Sequence, residues 1–180
     1  GQQEGGLFLD TSALVDGRIV DVCASQVVAA PVVIPDFVIR ELQKIADSSD
    51  RLRRTRGRRG LDMVGKLQRM EGLRIQVMDT MAHDRCDVDL EIVALAKASN
   101  GRVVTTDFNL NKVATIEGVR VVNLNDLSNA LKPAVIPGEE LSLRLVRPGE
   151  GATQGVGYLE DGTMVVVEDG RDSIGEVVAI

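Results

Sequence analysis

The first 132 residues alternate between short apolar runs and longer stretches with an apolar residue at every third or fourth position. The runs LFL (7–9), VVIP (32–35), LRIQVM (73–78), RVVTT (102–106) and VRVVNL (119–124) are short and largely β-branched. Strands buried in a parallel sheet look like this. Helical spacing occupies the intervals near 17–25, 36–47, 57–70, 88–99, 109–117 and 125–131. The alternation predicts an α/β fold, a three-layer arrangement around a mostly parallel sheet. At 133–137, PAVIP, two prolines bracket a boundary. Beyond it LSLRLV, GVGYLE and TMVVVE are separated by the glycine turns PGEG, EDG and EDGR, and EVVAI is expected to be an interior strand. This stretch predicts a small antiparallel sheet or barrel. The expected domains are 1–132 and 133–180.

Composition narrows the chemistry. With 44% apolar residues a real core is affordable, but Phe8, Phe37, Phe108 and Tyr158 are the only aromatic residues. Nucleic-acid binding therefore cannot rest on rows of stacked rings. Cys23 and Cys86 are too few for a disulfide framework or a zinc cluster, which points to a reducing, intracellular setting. His83 is the one histidine and matches no catalytic spacing, so it reads as a loop residue. A metal site would have to be built from carboxylates, and carboxylates select hard ions such as Mg²⁺ or Mn²⁺. No run of about 18 apolar residues and no signal peptide is visible. The opening GQQEGG lacks a Met and the last residues are apolar, so the chain reads as part of a longer protein. The net charge of −6 is local: residues 133–180 carry nine acids and three bases, and the rest of the chain is balanced.

Four acids stand where a site would form. In open α/β sheets ligands bind at the carboxyl ends of the strands. Asp10 follows LFL and Asp107 follows RVVTT. In DFVIRELQKIA, Glu41 lies beside the apolar stripe of Val38, Leu42 and Ile45, on or near the buried face. Asp89 opens DLEIVALAKAS, with Ile92, Val93 and Ala96 on its own face. Each has a plainer reading: Asp10, Asp89 and Asp107 as helix N-caps, Glu41 as an arginine partner. Four caps, however, need not share a cleft, whereas clustered carboxylates repel and a divalent cation is the usual remedy. Asp16, Asp21, Asp36 and Asp126 read as caps or solvated positions, with Asp36 after Pro35 a favourable N-cap.

LFLDTSALVDGR, the helical Glu41, DVDLEIVALA and VVTTDFNL together resemble the PIN-domain nuclease family over residues 6–131. The resemblance implies a metal-dependent nuclease whose acids are Asp10, Glu41, Asp89 and Asp107. Asp87 is a near-duplicate of the third position, and Ser12 and Thr105 match the accompanying hydroxyls. Residues 137–178 are similar to the start of a TRAM domain, a small OB-like barrel credited with RNA binding, whose last strands would lie past Ile180. The linked pair is similar to bacterial PIN-TRAM proteins. That implies a cytoplasmic location and, for members with an N-terminal membrane bundle, anchoring through a segment outside this chain.

RLRRTRGRRG places Arg51, Arg53, Arg54, Arg56, Arg58 and Arg59 within nine residues. The functional reading is sequence-blind binding of an RNA backbone beside the cleft. The alternative is a solvated loop docking on the acidic tail or on a second subunit of a homo-oligomer. In the β domain Arg144, Arg147 and Arg171 could form a small basic patch, although a barrel of net −6 is a poor polyanion binder. The expected activity is a metal-dependent ribonuclease. The alternatives are a nucleic-acid-binding or assembly module with a silent acid cluster and, less well supported, an aspartyl-nucleophile phosphohydrolase, since Asp10-Thr11-Ser12 lacks a second Asp two residues on.

Overall fold

Five strands, β1 (Leu7–Leu9), β2 (Val32–Pro35), β3 (Ile75–Met78), β4 (Arg102–Thr105) and β5 (Arg120–Asn123), form a parallel sheet in the order β3-β2-β1-β4-β5. The computed structural model describes residues 5–81, 87–133 and 135–180. Leu7 pairs with Val32 on one side and Arg102 on the other, and Leu9 pairs with Val104. The three central strands are almost wholly buried, while β3 and β5, at the edges, are partly exposed. Leu73 and Arg74, expected in the third strand, precede it.

The helices are α1 (Thr11–Asp16), α2 (Arg18–Ala24), α3 (Asp36–Ala46), α4 (Arg51–Gln68), α5 (Val88–Ala98), α6 (Phe108–Ile116) and α7 (Leu124–Ala130). Sequence periodicity missed α1. Six residues with only Ala13 and Leu14 buried are too few to display a 3.6-residue period. Gly17 separates α1 from α2 at φ +88°, a left-handed conformation that favours glycine. Asp36, expected as an N-cap, is instead the first residue of α3. Its carboxylate accepts from Thr80 N (3.1 Å) and Thr80 Oγ1 (2.6 Å) and pairs with Arg40. It thus ties the segment after β3 to α3.

The largest difference from the periodicity concerns α4. The spacing places its start near 57, but the helix begins at Arg51, where the Asp50 carboxylate accepts from Arg53 N at 2.7 Å. Arginines carry no apolar signal, and the buried positions at this end are Gly57 and Gly60. They allow close approach to α3. A Cβ on Gly57 would lie 2.2 Å from Ala46 N, and one on Gly60 would lie 2.4 Å from Leu42 Cδ2.

The chain divides into two compact units, Gly1–Ser128 and Asn129–Ile180. In the second, β6 (Ser142–Pro148), β7 (Gly155–Tyr158), β8 (Met164–Val167) and β9 (Val177–Ala179) form an antiparallel sheet in the order β8-β7-β6-β9. Leu143, Leu145 and Val156 are its buried apolar residues. The EVVAI segment, expected to be interior, supplies β9, which pairs only with β6 at the edge of the sheet among the described residues. No helix among the described residues is long and apolar enough to cross a membrane.

Replacing a mid-helix glycine by alanine ordinarily stabilises a helix by about 1 kcal/mol. For Gly57→Ala the opposite is expected. The new methyl meets backbone that cannot rotate aside, so α3 and α4 must separate at a cost of about 1–3 kcal/mol. Urea unfolding checks this, and a variant as stable as the parent would contradict the close packing.

Candidate active site

Asp10 continues β1: its N–H donates to Val104 O at 3.0 Å, so the sheet delivers its side chain to the carboxyl edge. It is 4% exposed, a depth at which a carboxylate needs partners. Oδ2 accepts from Ser12 N (3.3 Å), Ser12 Oγ (2.6 Å) and Thr105 Oγ1 (3.0 Å). The two hydroxyls are themselves held by backbone donors: Thr106 N donates to Ser12 Oγ (3.0 Å) and Asp107 N to Thr105 Oγ1 (2.9 Å). Ser12 Oγ and Thr105 Oγ1 also lie 3.0 Å from each other, so the two hydroxyls and Asp10 form one network. Burial still outweighs these bonds and raises the Asp10 pKa above the ordinary aspartate value.

Asp107 caps α6, its Oδ1 accepting from Asn109 N (2.7 Å) and Leu110 N (3.2 Å). Asp10 caps α1 in the same way. For these two, capping and placement at the sheet edge go together, because a carboxylate at a strand end caps the next helix while facing that edge. Asp89 is different. The cap of α5 is Asp87, whose Oδ1 accepts from Asp89 N (3.1 Å) and Leu90 N (3.4 Å). Asp89 lies in the first turn and is exposed, at the N-terminal end of the face that buries Ile92 and Val93. Glu41 is partly buried on α3 and accepts a hydrogen bond from Thr11 Oγ1.

These four acids line one cavity of about 800 Å³, together with Thr11, Ser12, Asp16, Thr106 and a face of α4. Desolvation of the Asp89 carboxyl, followed by repulsion from Asp10, Asp107, Asp87 and Glu41, raises its pKa to about 6. Asp89 thus feels every other acid of the group, although its residue surface is open to water.

The arginine run does not act as one patch. Arg53, Arg56 and Arg59 recur every three residues and line the cavity with Thr55. Arg59 Nη2 also donates to Asp16 O at 2.7 Å. Arg54 turns away and donates to Ser48 O (3.1 Å) and Ser49 O (3.3 Å), closing the α3–α4 connection. Arg51 and Arg58 are exposed and do not line the cavity. In the second unit, Arg147 Nε donates to Tyr158 Oη (3.2 Å) and Arg171 Nη1 to Ala152 O (2.9 Å), and Arg144 bonds Gly175 O. Each is engaged separately. His83 and Cys86 lie outside the described residues. Cys23 is buried, with its thiol pushed up to about 11, and has no reactive character.

Sequence reading passed over Thr11, Thr55 and Thr106. Thr11 stands between two residues that were singled out, but only the fold shows that its hydroxyl reaches Glu41, 30 positions away.

A parallel sheet with an acid-lined cavity at its carboxyl edge defines the class. The PIN domain family matches residues 7–116, and the chain belongs to it. The uncharacterized PIN and TRAM-domain containing protein YacL of Bacillus subtilis is 49% identical over 173 residues, which is 96% of this chain and 47% of that protein. Another protein of that description, from Synechocystis, is 44% identical over 172 residues, covering 96% of this chain and 48% of its own. The chain thus spans about half the length of these curated relatives. Among solved structures, a domain of a functionally unknown protein from Methanocaldococcus jannaschii aligns with a TM-score of 0.55 at 20% identity, covering 75% of this chain and 96% of that one, a likeness of fold.

The donor set suits a hard divalent ion, being all oxygen and crowded enough to raise one acid. Yet no three acidic, histidine or cysteine side chains among the described residues are gathered tightly enough to hold an ion alone.

The raised Asp89 pKa has a signed consequence. Its folded value, about 6, exceeds the ordinary 3.8, so the unfolded chain releases this proton first. The contribution of Asp89 to stability is complete below about pH 3.8 and is lost as pH rises through 6. Without divalent ions, Asp89→Asn is therefore expected to be more stable than the parent at pH 7 and indistinguishable from it near pH 4. Paired denaturation curves at the two pH values check this, and a less stable variant at pH 7 would contradict it. The carboxyl carbon of Asp89, followed by NMR, should titrate near pH 6 without divalent ions.

Proposed function

We propose that the first unit is a divalent-cation-dependent ribonuclease whose catalytic acids are Asp10, Glu41, Asp89 and Asp107. The observation that carries this reading is the shared cavity, in which four carboxylates face three arginines of α4. Bound among the carboxylates, Mg²⁺ or Mn²⁺ would supply charge neutralisation at a phosphodiester and a water acidified toward neutral pH. The chain's own residues do the rest. Ser12 and Thr105 hold Asp10 in one rotamer, and Thr11 orients Glu41. Arg53, Arg56 and Arg59 receive the RNA backbone without reading its bases. Asp87 stays a helix cap at the rim, available as an outer metal partner.

The domain limits that go with this reading are a PIN-like part over 1–132 and a TRAM-like part over 133–180. This reading goes with action in the cytoplasm. A second reading, a nucleic-acid-binding module with a silent cluster, is favoured by the loose grouping of the acids.

Cleavage of a labelled single-stranded RNA separates the two. The first reading expects Mn²⁺- or Mg²⁺-dependent cleavage, reduced at least about 100-fold by Asp10→Asn or Asp107→Asn, a loss of roughly 3 kcal/mol in transition-state stabilisation. RNA binding without cleavage under any divalent ion would establish the second. Changing Arg53, Arg56 and Arg59 together to Ala should weaken binding to all RNA sequences alike. It should also flatten log affinity against log salt by about 2, for three phosphates at about 0.7 each. An unchanged slope would remove α4 from the RNA path.

A further inference from the structure

Phe8 and Phe37 are core residues, 1% and 2% exposed, but Phe108 is 64% exposed. It directly follows Asp107, which lines the acid cavity, and it is the first residue of α6. Side chains on a helix lean toward its N-terminus, and here that end faces the sheet edge where the acids lie. The buried residues of α6 are Leu110 and Ala114, so Phe108 has no place in the packing of its own helix. Lys112, one turn on, sets its Nζ 4.6 Å from the ring centroid. A cation over an exposed ring holds the ring in place and adds positive charge beside it. Leu90 stands at the same offset after Asp89 and is 57% exposed, so Asp89 and Asp107 are each followed by an uncovered apolar side chain.

The exposed ring leaves a flat apolar face open to a ligand. A nucleotide with its phosphate at the acids and arginines has its base one ribose away, and a base is the flat apolar surface that a ring accepts. We infer that Phe108 is a stacking platform for one base of the RNA, next to the phosphate held at the acids, with Lys112 beside it for a neighbouring phosphate. This rests on the RNA reading above and deepens it. Arg53, Arg56 and Arg59 fix the backbone, while Phe108 requires an unpaired base, since a paired base has its faces covered. The substrate class is therefore single-stranded RNA or an unpaired loop. One platform gives no sequence code, because every base has a stacking face.

The experiment is a binding cycle in Ca²⁺ in place of Mg²⁺, with the RNA checked intact on a gel afterwards, using fluorescence anisotropy with a short single-stranded RNA. A set of the same oligonucleotides, each with one abasic position, completes the cycle. Phe108→Ala is expected to weaken binding of the intact RNA roughly 5- to 150-fold, the span of one base–aromatic stack. Phe108→Trp should restore it. One abasic position should cost the parent the same factor and cost Phe108→Ala nothing further. Circular dichroism and melting of both variants should match the parent, since the ring lies outside the core. If the parent binds RNA but Phe108→Ala binds it equally well, or if ring and base losses simply add at every position, the platform is overturned and the ribonuclease reading stands. If the parent binds no RNA at all, both fall.

Discussion

The structure turns on the crowding of like charge at the carboxyl end of β1 and β4. Carboxylates that share a cavity repel, by a few kcal/mol at close range and intermediate effective dielectric. Four acids line this one cavity and Asp89 responds to all of its neighbours. A fold selected for stability alone would not gather them. The surrounding features are answers to that cost. Two hydroxyls and a backbone N–H fix the most buried acid, helix N-termini take up Asp10, Asp87 and Asp107 as caps, and three arginines of α4 close the cavity from the side. The helix ends favour negative charge through their dipoles, which lowers the cost without removing it.

The α4 wall shows how packing and charge are joined on one element. Every third residue from Arg53 to Arg59 faces the cavity, while Gly57 and Gly60 lie against α3. Larger residues at the glycine positions would push the arginine face away from Glu41, which α3 carries. RLRRTRGRRG is thus a cationic surface and a close helix–helix contact in the same ten residues. Arg54 departs from both and closes the preceding turn.

Much of the fold was legible because parallel strands announce themselves. VVIP and RVVT are buried, and their apolar runs are uninterrupted. What failed did so for physical reasons. α1 is too short for periodicity, the start of α4 buries glycine instead of leucine, and EVVAI looks interior by composition but pairs on one side only among the described residues. The acids at strand ends, Asp10 and Asp107, could be placed from topology alone. For Asp89 helical spacing found the face but not the exposure, because Asp87 takes the cap and the first turn of α5 stands open to water. The hydroxyl partner of Glu41 was out of reach for sequence reading because it depends on a contact between elements far apart in the chain.

The most direct test of the central claim is crystallographic. Crystals soaked in Mn²⁺ and measured at the manganese absorption edge report the ion by its anomalous signal. The account predicts a Mn²⁺ peak inside the cavity lined by Asp10, Glu41, Asp89 and Asp107, with ordered waters completing its coordination. A clear Mn²⁺ signal elsewhere on the molecule, with none among these acids, would contradict it.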